Sequence, residues 1–188
     1  AHCRRVSRSH FVEPFAVRTP TLLPATHTNS YALGARDVVL VEPSTPFPDE
    51  QRRWVNWARA LESQGRKLVA IVATHHHADH IGGAAFFSEA LSIPVWASDH
   101  TADQLAIPVA RRLADGDVIR LDGPSAQRWV VHITPGHCPG HVCLHEPSLS
   151  TLIAGDMVAS EGTILIAPGD GDMAEYIRQL TRLSALDP

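Results

Sequence analysis

The sequence has few cysteines, no long apolar run and no excess of positive charge, and each shortage argues against a class of protein. The three cysteines are an odd number and cannot form a disulfide framework. The longest clearly apolar run, residues 68–73, is far shorter than the roughly 20 residues that a membrane-spanning helix needs. A formal net charge of -4 disfavours binding of nucleic acid through a large basic face, although a local basic patch stays open. With 44% hydrophobic residues, we expect a soluble, cytoplasmic globular protein.

The length of 188 residues is typical of one domain with a substantial core. We assign residues 1–20 to a polar lead-in, because they contain four arginines and only one glutamate. The apolar segment that follows the arginines of a signal peptide is not found here. Residues 21–188 are predicted to form the domain, since they contain no repeat, low-complexity segment or linker. The sequence leaves the oligomeric state open.

Apolar periodicity predicts a mixture of strands and helices. Strands are predicted at residues 31–33, 38–41, 68–73, 94–97, 118–121, 129–134, 141–145 and 151–154, and helices at 49–64, 84–91 and 174–183. Trp54 and Trp57 have helical spacing and are predicted to lie in the core. Such a mixture indicates a layered α/β domain.

A histidine-rich loop, T-H-H-H-A-D-H-I-G-G at residues 74–83, follows the apolar strand 68–73. Imidazole and carboxylate together suit zinc and similar divalent metals. The spacing of His75 and His77 lets both rings converge if the loop is extended, and Asp79 and His80 are close enough in sequence to serve a second ion. A histidine tag would lie at a terminus, whereas this segment joins a strand to two glycines and a helix. A metal site is therefore predicted here.

Two further segments also end predicted strands. The first is T-P-G-H-C-P-G-H at residues 134–141, in which proline and glycine turns flank His137. The second is the apolar segment 152–154, which ends in Gly-Asp at Asp156. Taken alone, each is compatible with an ordinary turn. Of the cysteines near them, Cys138 is expected to be a loop thiol and Cys143 a buried strand residue.

The order and spacing of the three segments resemble those of the metallo-β-lactamase superfamily. H-x-H-x-D-H is followed by a Gly-His turn 57 residues after His80, and by Gly-Asp 19 residues later. The resemblance runs from about residue 28 to residue 183. It implies an αββα four-layer sandwich with a dinuclear metal site at one edge of the sheets.

The resemblance also implies a set of metal ligands. They are His75, His77 and His137 for the first ion, Asp79 and His80 for the second, and Asp156 bridging the two. It implies two zinc ions, with iron or manganese as other occupants, and a supporting position beside the ligands for His141. His76 occupies the variable position between two ligands and is not assigned to metal.

The sequence departs from the superfamily pattern at the second ion. That pattern completes the second site with a further histidine in a turn after the last helix, but no histidine follows His145 in these 188 residues. The expectation is that the C-terminal portion of the domain is missing, or that the second site is short of one ligand.

The chemistry that the resemblance implies is hydrolysis by a metal-bridging hydroxide, which Asp79 would orient. Residues 155–180 look like the compact hydrolases near glyoxalase II and the lactamase-β-like endoribonucleases. A small ester or thioester is the favoured substrate. Three alternatives stay open: an RNA phosphodiesterase, which the negative charge disfavours, a mononuclear iron enzyme acting on oxygen or sulfur, and a metal-binding module without catalysis.

Overall fold

Two β-sheets lie face to face at the centre of the structure, a computed structural model that describes residues 11–188. The first sheet contains six strands in this spatial order: β1 (Val12–Arg18), β2 (His27–Leu33), β3 (Asp37–Val41), β4 (Lys67–Val72), β5 (Val95–Ser98) and β6 (Val109–Leu113). The second contains β7 (Val118–Leu121), β8 (Gln127–Ile133), β9 (Val142–Glu146) and β10 (Thr151–Ile153), each beside its neighbour in sequence.

Five α-helices accompany the sheets. They are α1 (Pro48–Ser63), α2 (Ala78–Ile81), α3 (Ala84–Leu91), α4 (Asp99–Gln104) and α5 (Met173–Ser184). Short 3-10 turns occupy Pro147–Leu149 and Gly155–Met157. Among residues 11–188, no helix has the length and apolar character needed to cross a bilayer.

Strand direction decides which loops meet. Strands β3, β4, β5 and β6 are parallel, because a helix-containing crossover separates each from the next, whereas β1 and β2 pair antiparallel. The second sheet is antiparallel throughout. The loops after β3 and β4 therefore open at one edge of the first sheet.

Alternating side chains fill the layers on either side of the first sheet. Along β3, Val39 and Val41 belong to the core between the sheets, whereas Val38 and Leu40 pack with α1 and α3. Trp129, on β8, is fully buried in the core between the sheets. The sheets thus share one apolar interior.

Helices cover both outer faces. Trp54 of α1 is fully buried and stacks on Phe87 of α3, with ring centroids 3.9 Å apart. On the other side, Leu183 of α5 packs with Cys143 and Met157. The layers are helix, sheet, sheet and helix, so the predicted αββα sandwich is confirmed.

The predicted elements all occur within a few residues of their expected bounds, but two strands and the short helices α2 and α4 were not predicted. Of the two strands, β1 carries Pro14, and β6 carries two adjacent arginines, Arg111 and Arg112. Both lie at the edges of the first sheet, where proline and charged side chains are tolerated because one side of the strand has no partner among residues 11–188.

Strand β1 lies within the segment predicted as a polar lead-in. It pairs with β2 along its whole length, from Val12 opposite Leu33 to Arg18 opposite His27. Residues 12–18 therefore pair within the sheet, while residues 1–10 lie outside the described residues, and the division into lead-in and domain stays a prediction.

Candidate metal centre

The three predicted segments meet where strands of both sheets end. The loop after β4 carries His75 and His77, and α2 begins directly after it. The loop after β8 carries His137, and the 3-10 turn after β10 carries Asp156. Because these strands belong to different sheets, the site lies at the open edge of the sandwich.

Two glycines after α2 are required by close packing. A Cβ at Gly83 would collide with the ring of Phe87 and would lie 2.8 Å from the carbonyl oxygen of Thr45. A Cβ at Gly82 would lie 2.9 Å from Cδ of Pro46. Gly82 has an ordinary φ of -58°. The glycines therefore allow backbone approach between α2, α3 and the loop after β3, rather than an unusual turn.

Three imidazoles converge at the centre. The ring centroids of His75, His77 and His137 are 4.8, 4.9 and 4.6 Å apart, and the ring planes are nearly perpendicular to one another. Nδ1 of His77 lies 2.9 Å from Nε2 of His137. Nε2 of His75 is buried and has no hydrogen-bond partner in the described part of the chain. A set of nitrogen atoms that face one another, one of them without a partner, fits a bound transition-metal ion.

The nitrogens on the far side of these rings have partners of their own. Nδ1 of His137 donates to the carbonyl oxygen of Leu165 at 2.9 Å. Nδ1 of His75 lies 2.9 Å from the hydroxyl oxygen of Thr74. Such outer contacts fix the ring orientation and tautomer of a metal-binding histidine.

A second group adjoins the first through Asp156. One of its carboxylate oxygens lies 3.2 Å from Nε2 of His80, and the other lies 3.3 Å from Nε2 of His137. Asp79 lies 3.7 Å from the same nitrogen of His80. Each of the six predicted ligands is therefore brought into one cluster, with Asp156 between its halves. The assignment of these residues to two ions stays a prediction.

The ionisation of the cluster follows from burial and neighbouring charge. Burial holds the pKa of His75 well below its ordinary value, and lowers that of His137 as well. Burial also acts to lower the pKa of His80, but the carboxylates of Glu42 and Asp156 outweigh it and raise that pKa well above 6.5. In return, hydrogen bonding to His80 depresses the pKa of Asp156 to about 2 against the effect of burial.

Glu42 is a site residue that the sequence did not reveal. It directly follows β3, is only 2% exposed and has a φ of 63°. Its Oε1 accepts a hydrogen bond from Thr74 at 2.6 Å and lies 3.2 Å from Nδ1 of His80. Through Thr74 it also supports His75. A single buried carboxylate thus contacts or supports a histidine from each half of the cluster.

His141 lies behind Asp156. Its Nε2 accepts the backbone N–H of Asp156 at 3.0 Å, so its proton is on Nδ1, which donates to the hydroxyl of Thr134 at 2.8 Å. Burial lowers the pKa of His141 to about 3. The neutral imidazole holds the turn that carries Asp156.

Two side chains beside the cluster have other surroundings. Nε2 of His76 lies 3.5 Å from Oδ1 of Asp170, and its ring lies 5.3 Å from that of His100. Cys138, expected to be a loop thiol, is fully buried, and its Sγ lies within 4.8 Å of ligand atoms of the three convergent histidines. Burial raises the pKa of this thiol. In the metal-free protein this thiol is therefore protonated at neutral pH.

The sequence of the chain is similar to a family model and to several curated proteins. The family model of the metallo-beta-lactamase superfamily matches residues 23–188. A hydroxyacylglutathione hydrolase of Cereibacter sphaeroides is 35% identical over 130 residues, which are 69% of this chain and 49% of that protein. The lactamase-like protein aptB of Emericella nidulans is 27% identical over 165 residues, which are 85% of this chain and 48% of that protein. The chain thus spans about half the length of these curated relatives.

Solved structures share the fold. The metallo-beta-lactamase IND-7 superposes with a TM-score of 0.74 at 20% identity, over 93% of this chain and 80% of that one. TTHA1623, solved in a di-iron-bound form, superposes with a TM-score of 0.67 at 26% identity, over 90% of this chain and 87% of that one. At 20% identity the first likeness concerns the fold alone.

Proposed function

We propose, because this chain belongs to the metallo-beta-lactamase superfamily, that it is a metal-dependent hydrolase of small thioesters or esters. The observation that carries the proposal is the position of Asp156, whose two oxygens face the two groups of ligands. Two groups joined by one carboxylate are suited to hold a pair of ions close together.

The donor atoms fit the ions proposed. His75, His77 and His137 would hold the first ion, and Asp79 and His80 the second, with Asp156 shared between them. Nitrogen and carboxylate ligands suit zinc, iron and manganese, and we propose zinc as the principal occupant. The di-iron form of TTHA1623 makes iron the main alternative. When bound, such ions activate water at neutral pH and polarise a carbonyl oxygen.

Asp79 is the residue proposed to handle protons. Its side chain is 19% exposed, whereas that of His80 beside it is 6% exposed. A carboxylate in that position accepts a hydrogen bond from an attacking water and can transfer the proton to the leaving sulfur or oxygen. Metal ligands and a proton-transfer group suffice for hydrolysis, so the proposal requires no serine or cysteine nucleophile.

The substrate class is proposed from the curated relatives. The Cereibacter protein is named for hydrolysis of hydroxyacylglutathione, which is a thioester. The aligned region, which is 35% identical, covers 69% of this chain. We therefore propose thioester cleavage ahead of RNA cleavage, which the net charge of -4 disfavours.

The test is hydrolysis of an acyl-glutathione thioester by the zinc-loaded chain. We expect turnover that is lost in His77→Ala and retained in His76→Ala. Failure of the zinc-loaded and iron-loaded protein to cleave the thioester or its oxygen-ester analogue would contradict the proposal. Cleavage of an RNA oligonucleotide in the same assay would favour the phosphodiesterase instead. Oxygen uptake by the iron-loaded protein would favour the iron enzyme.

A further inference from the structure

Asp170 lies in the segment of chain that connects the Gly155–Met157 turn to α5, outside the three motifs of the site. Its Oδ2 lies 2.7 Å from Nε2 of His77. We propose that Asp170 is a positioning residue of the first metal centre, which directs Nδ1 of His77 toward the ion. The inference rests on the proposed function only in requiring that His77 binds metal.

The argument begins with the two nitrogens of His77. Nδ1 lies 2.9 Å from Nε2 of His137, inside the group of convergent imidazoles. Nε2 points the other way, toward the carboxylate of Asp170. A carboxylate only accepts hydrogen bonds, and a neutral imidazole has a single N–H. That proton must therefore be on Nε2, which leaves the lone pair of Nδ1 free to bind an ion.

The partner of His77 differs in charge from those of the other two histidines. His75 contacts the hydroxyl of Thr74, and His137 donates to the carbonyl of Leu165. A carboxylate partner raises the basicity of a histidine ligand more than a neutral acceptor does, because it stabilises the charge that the ring gives up to the ion. His77 thus receives the strongest support of the three.

Backbone packing holds Asp170 in place. A Cβ at the next residue, Gly171, would lie 2.9 Å from the carbonyl oxygen of His137 and 3.0 Å from that of Gly136. The backbone N–H of Asp172 also donates to the carbonyl of Gly136 at 2.8 Å. The loop that carries Asp170 therefore lies directly against the loop that carries His137. Asp170 is fixed relative to the ligands and does not reach them from a free loop.

The alternative is that the side chains of Asp170 and His77 bind a metal ion of their own instead of forming a hydrogen bond. Asp170, His76 and His77 could hold a separate ion at the rim, since their ligand atoms lie within 4.8 Å of one another. That ion would need Nε2 of His77, the atom that the proposed hydrogen bond occupies. The 2.7 Å contact with His77 is much shorter than the 3.5 Å contact with His76, which favours the positioning role.

The first test measures the tautomer of His77 directly in the metal-free protein, by long-range ¹H–¹⁵N NMR. We expect the proton on Nε2 in the unaltered chain and in Asp170→Asn, whose amide oxygen can still accept. A mixture of tautomers is expected in Asp170→Ala. A proton on Nδ1 in the unaltered chain would overturn the proposal. This measurement involves neither metal nor catalysis.

The second test measures zinc affinity by competition with a chromophoric chelator. We expect Asp170→Ala to weaken the tighter zinc site by about 10- to 100-fold, Asp170→Asn to weaken it less, and Asp170→Glu to recover part of the loss. Glu161→Gln, a charge-neutralising change in the same segment, is the matched control and should bind like the unaltered protein. Circular dichroism would verify that each variant is folded.

Two outcomes of the zinc titration would overturn the proposal. One is unchanged affinity of the tighter site in folded Asp170→Ala. The other is loss of a separate, weaker zinc equivalent, which would assign Asp170 to a rim ion. Failure of the proposed function is distinguishable, because zinc binding without thioester cleavage would contradict the activity and leave the role of Asp170 intact.

Discussion

Asp156 and His80 face each other across the middle of the cluster, with Oδ1 3.2 Å from Nε2. The carboxylate keeps its pKa near 2, and the imidazole has a pKa well above 6.5. In the absence of metal, the pair is therefore an imidazolium beside a carboxylate. The proton on His80 occupies a position where a second ion would need a lone pair.

This ionisation predicts that zinc uptake at the two sites depends differently on pH. Because burial lowers the pKa of His75 and that of His137, these two imidazoles of the first site are neutral at neutral pH. His80 must lose its proton before it can bind, so affinity at the second site should fall by about tenfold per pH unit below its raised pKa. Zinc stoichiometry by equilibrium dialysis should rise between about pH 6 and about pH 8.5. Identical pH dependence for every bound zinc would contradict this prediction.

The neighbouring histidines His76 and His77 provide a matched pair of substitutions. His77→Ala removes a nitrogen that lies 2.9 Å from His137 and should abolish zinc binding at the first site. His76→Ala leaves the convergent imidazoles intact and should retain most of the binding. Metal analysis after gel filtration measures both. Equal loss of zinc from the two variants would refute the ligand assignment.

Replacement of Glu42 by glutamine should destabilise the metal-free protein in a pH-dependent way. The raised pKa of His80 means that its charged form adds stability in full below 6.5, and that this contribution disappears as the pH rises through the folded-state pKa. Glu42→Gln keeps an acceptor for Thr74 but removes the charge that faces His80. We expect a loss of about 1–3 kcal/mol in unfolding free energy at about pH 6 and a smaller loss at about pH 9.

Urea denaturation of the metal-free protein at both pH values measures this difference. Glu161→Gln serves again as the control for loss of one negative charge. A loss that is equal at the two pH values would show that Glu42 acts through packing and not through the charge of His80.

Gly83→Ala should disturb the packing that places α2. The added Cβ would meet Phe87 and the backbone of Thr45, and the latter cannot rotate away. We expect the unfolding free energy to fall by about 1–3 kcal/mol, as it does when a core is overpacked. Gly123→Ala is the control, since its nearest contact would be 3.3 Å. Equal melting temperatures for the two variants would show that the structure relaxes around Gly83.

The sequence predicted what depends on local pattern. The histidines that the structure brings together lie within short motifs, and the interior strands are continuous apolar runs, so both could be predicted from neighbouring residues. Glu42 and Asp170 could not, because each acts on a partner far along the chain. Thr74 lies 32 residues from Glu42, and His77 lies 93 residues from Asp170. Their only local signals were a charged residue ending the β3 run and a Gly-Asp-Gly turn before α5.

The edge strands escaped prediction for a different reason. In the described part of the chain, one side of each edge strand has no paired strand, so the apolar alternation that identifies a strand is less strictly required there. Proline in β1 and arginine in β6 are consistent with that freedom. Prediction from sequence was therefore strongest in the interior of the sandwich and weakest at its margins.

The proposed ligands come from loops of both sheets, and this has a consequence for folding. His77 follows a strand of the first sheet, and His137 and Asp156 follow strands of the second. An ion bound between them would act as a non-covalent crosslink across the interior. Since the unfolded chain lacks that geometry, an ion at a thousandfold excess over its dissociation constant would add about 4 kcal/mol to the stability of the folded state. Removal of the ions by a chelator would then lower the free energy of unfolding of the whole domain. The same ions would therefore contribute both to catalysis and to stability.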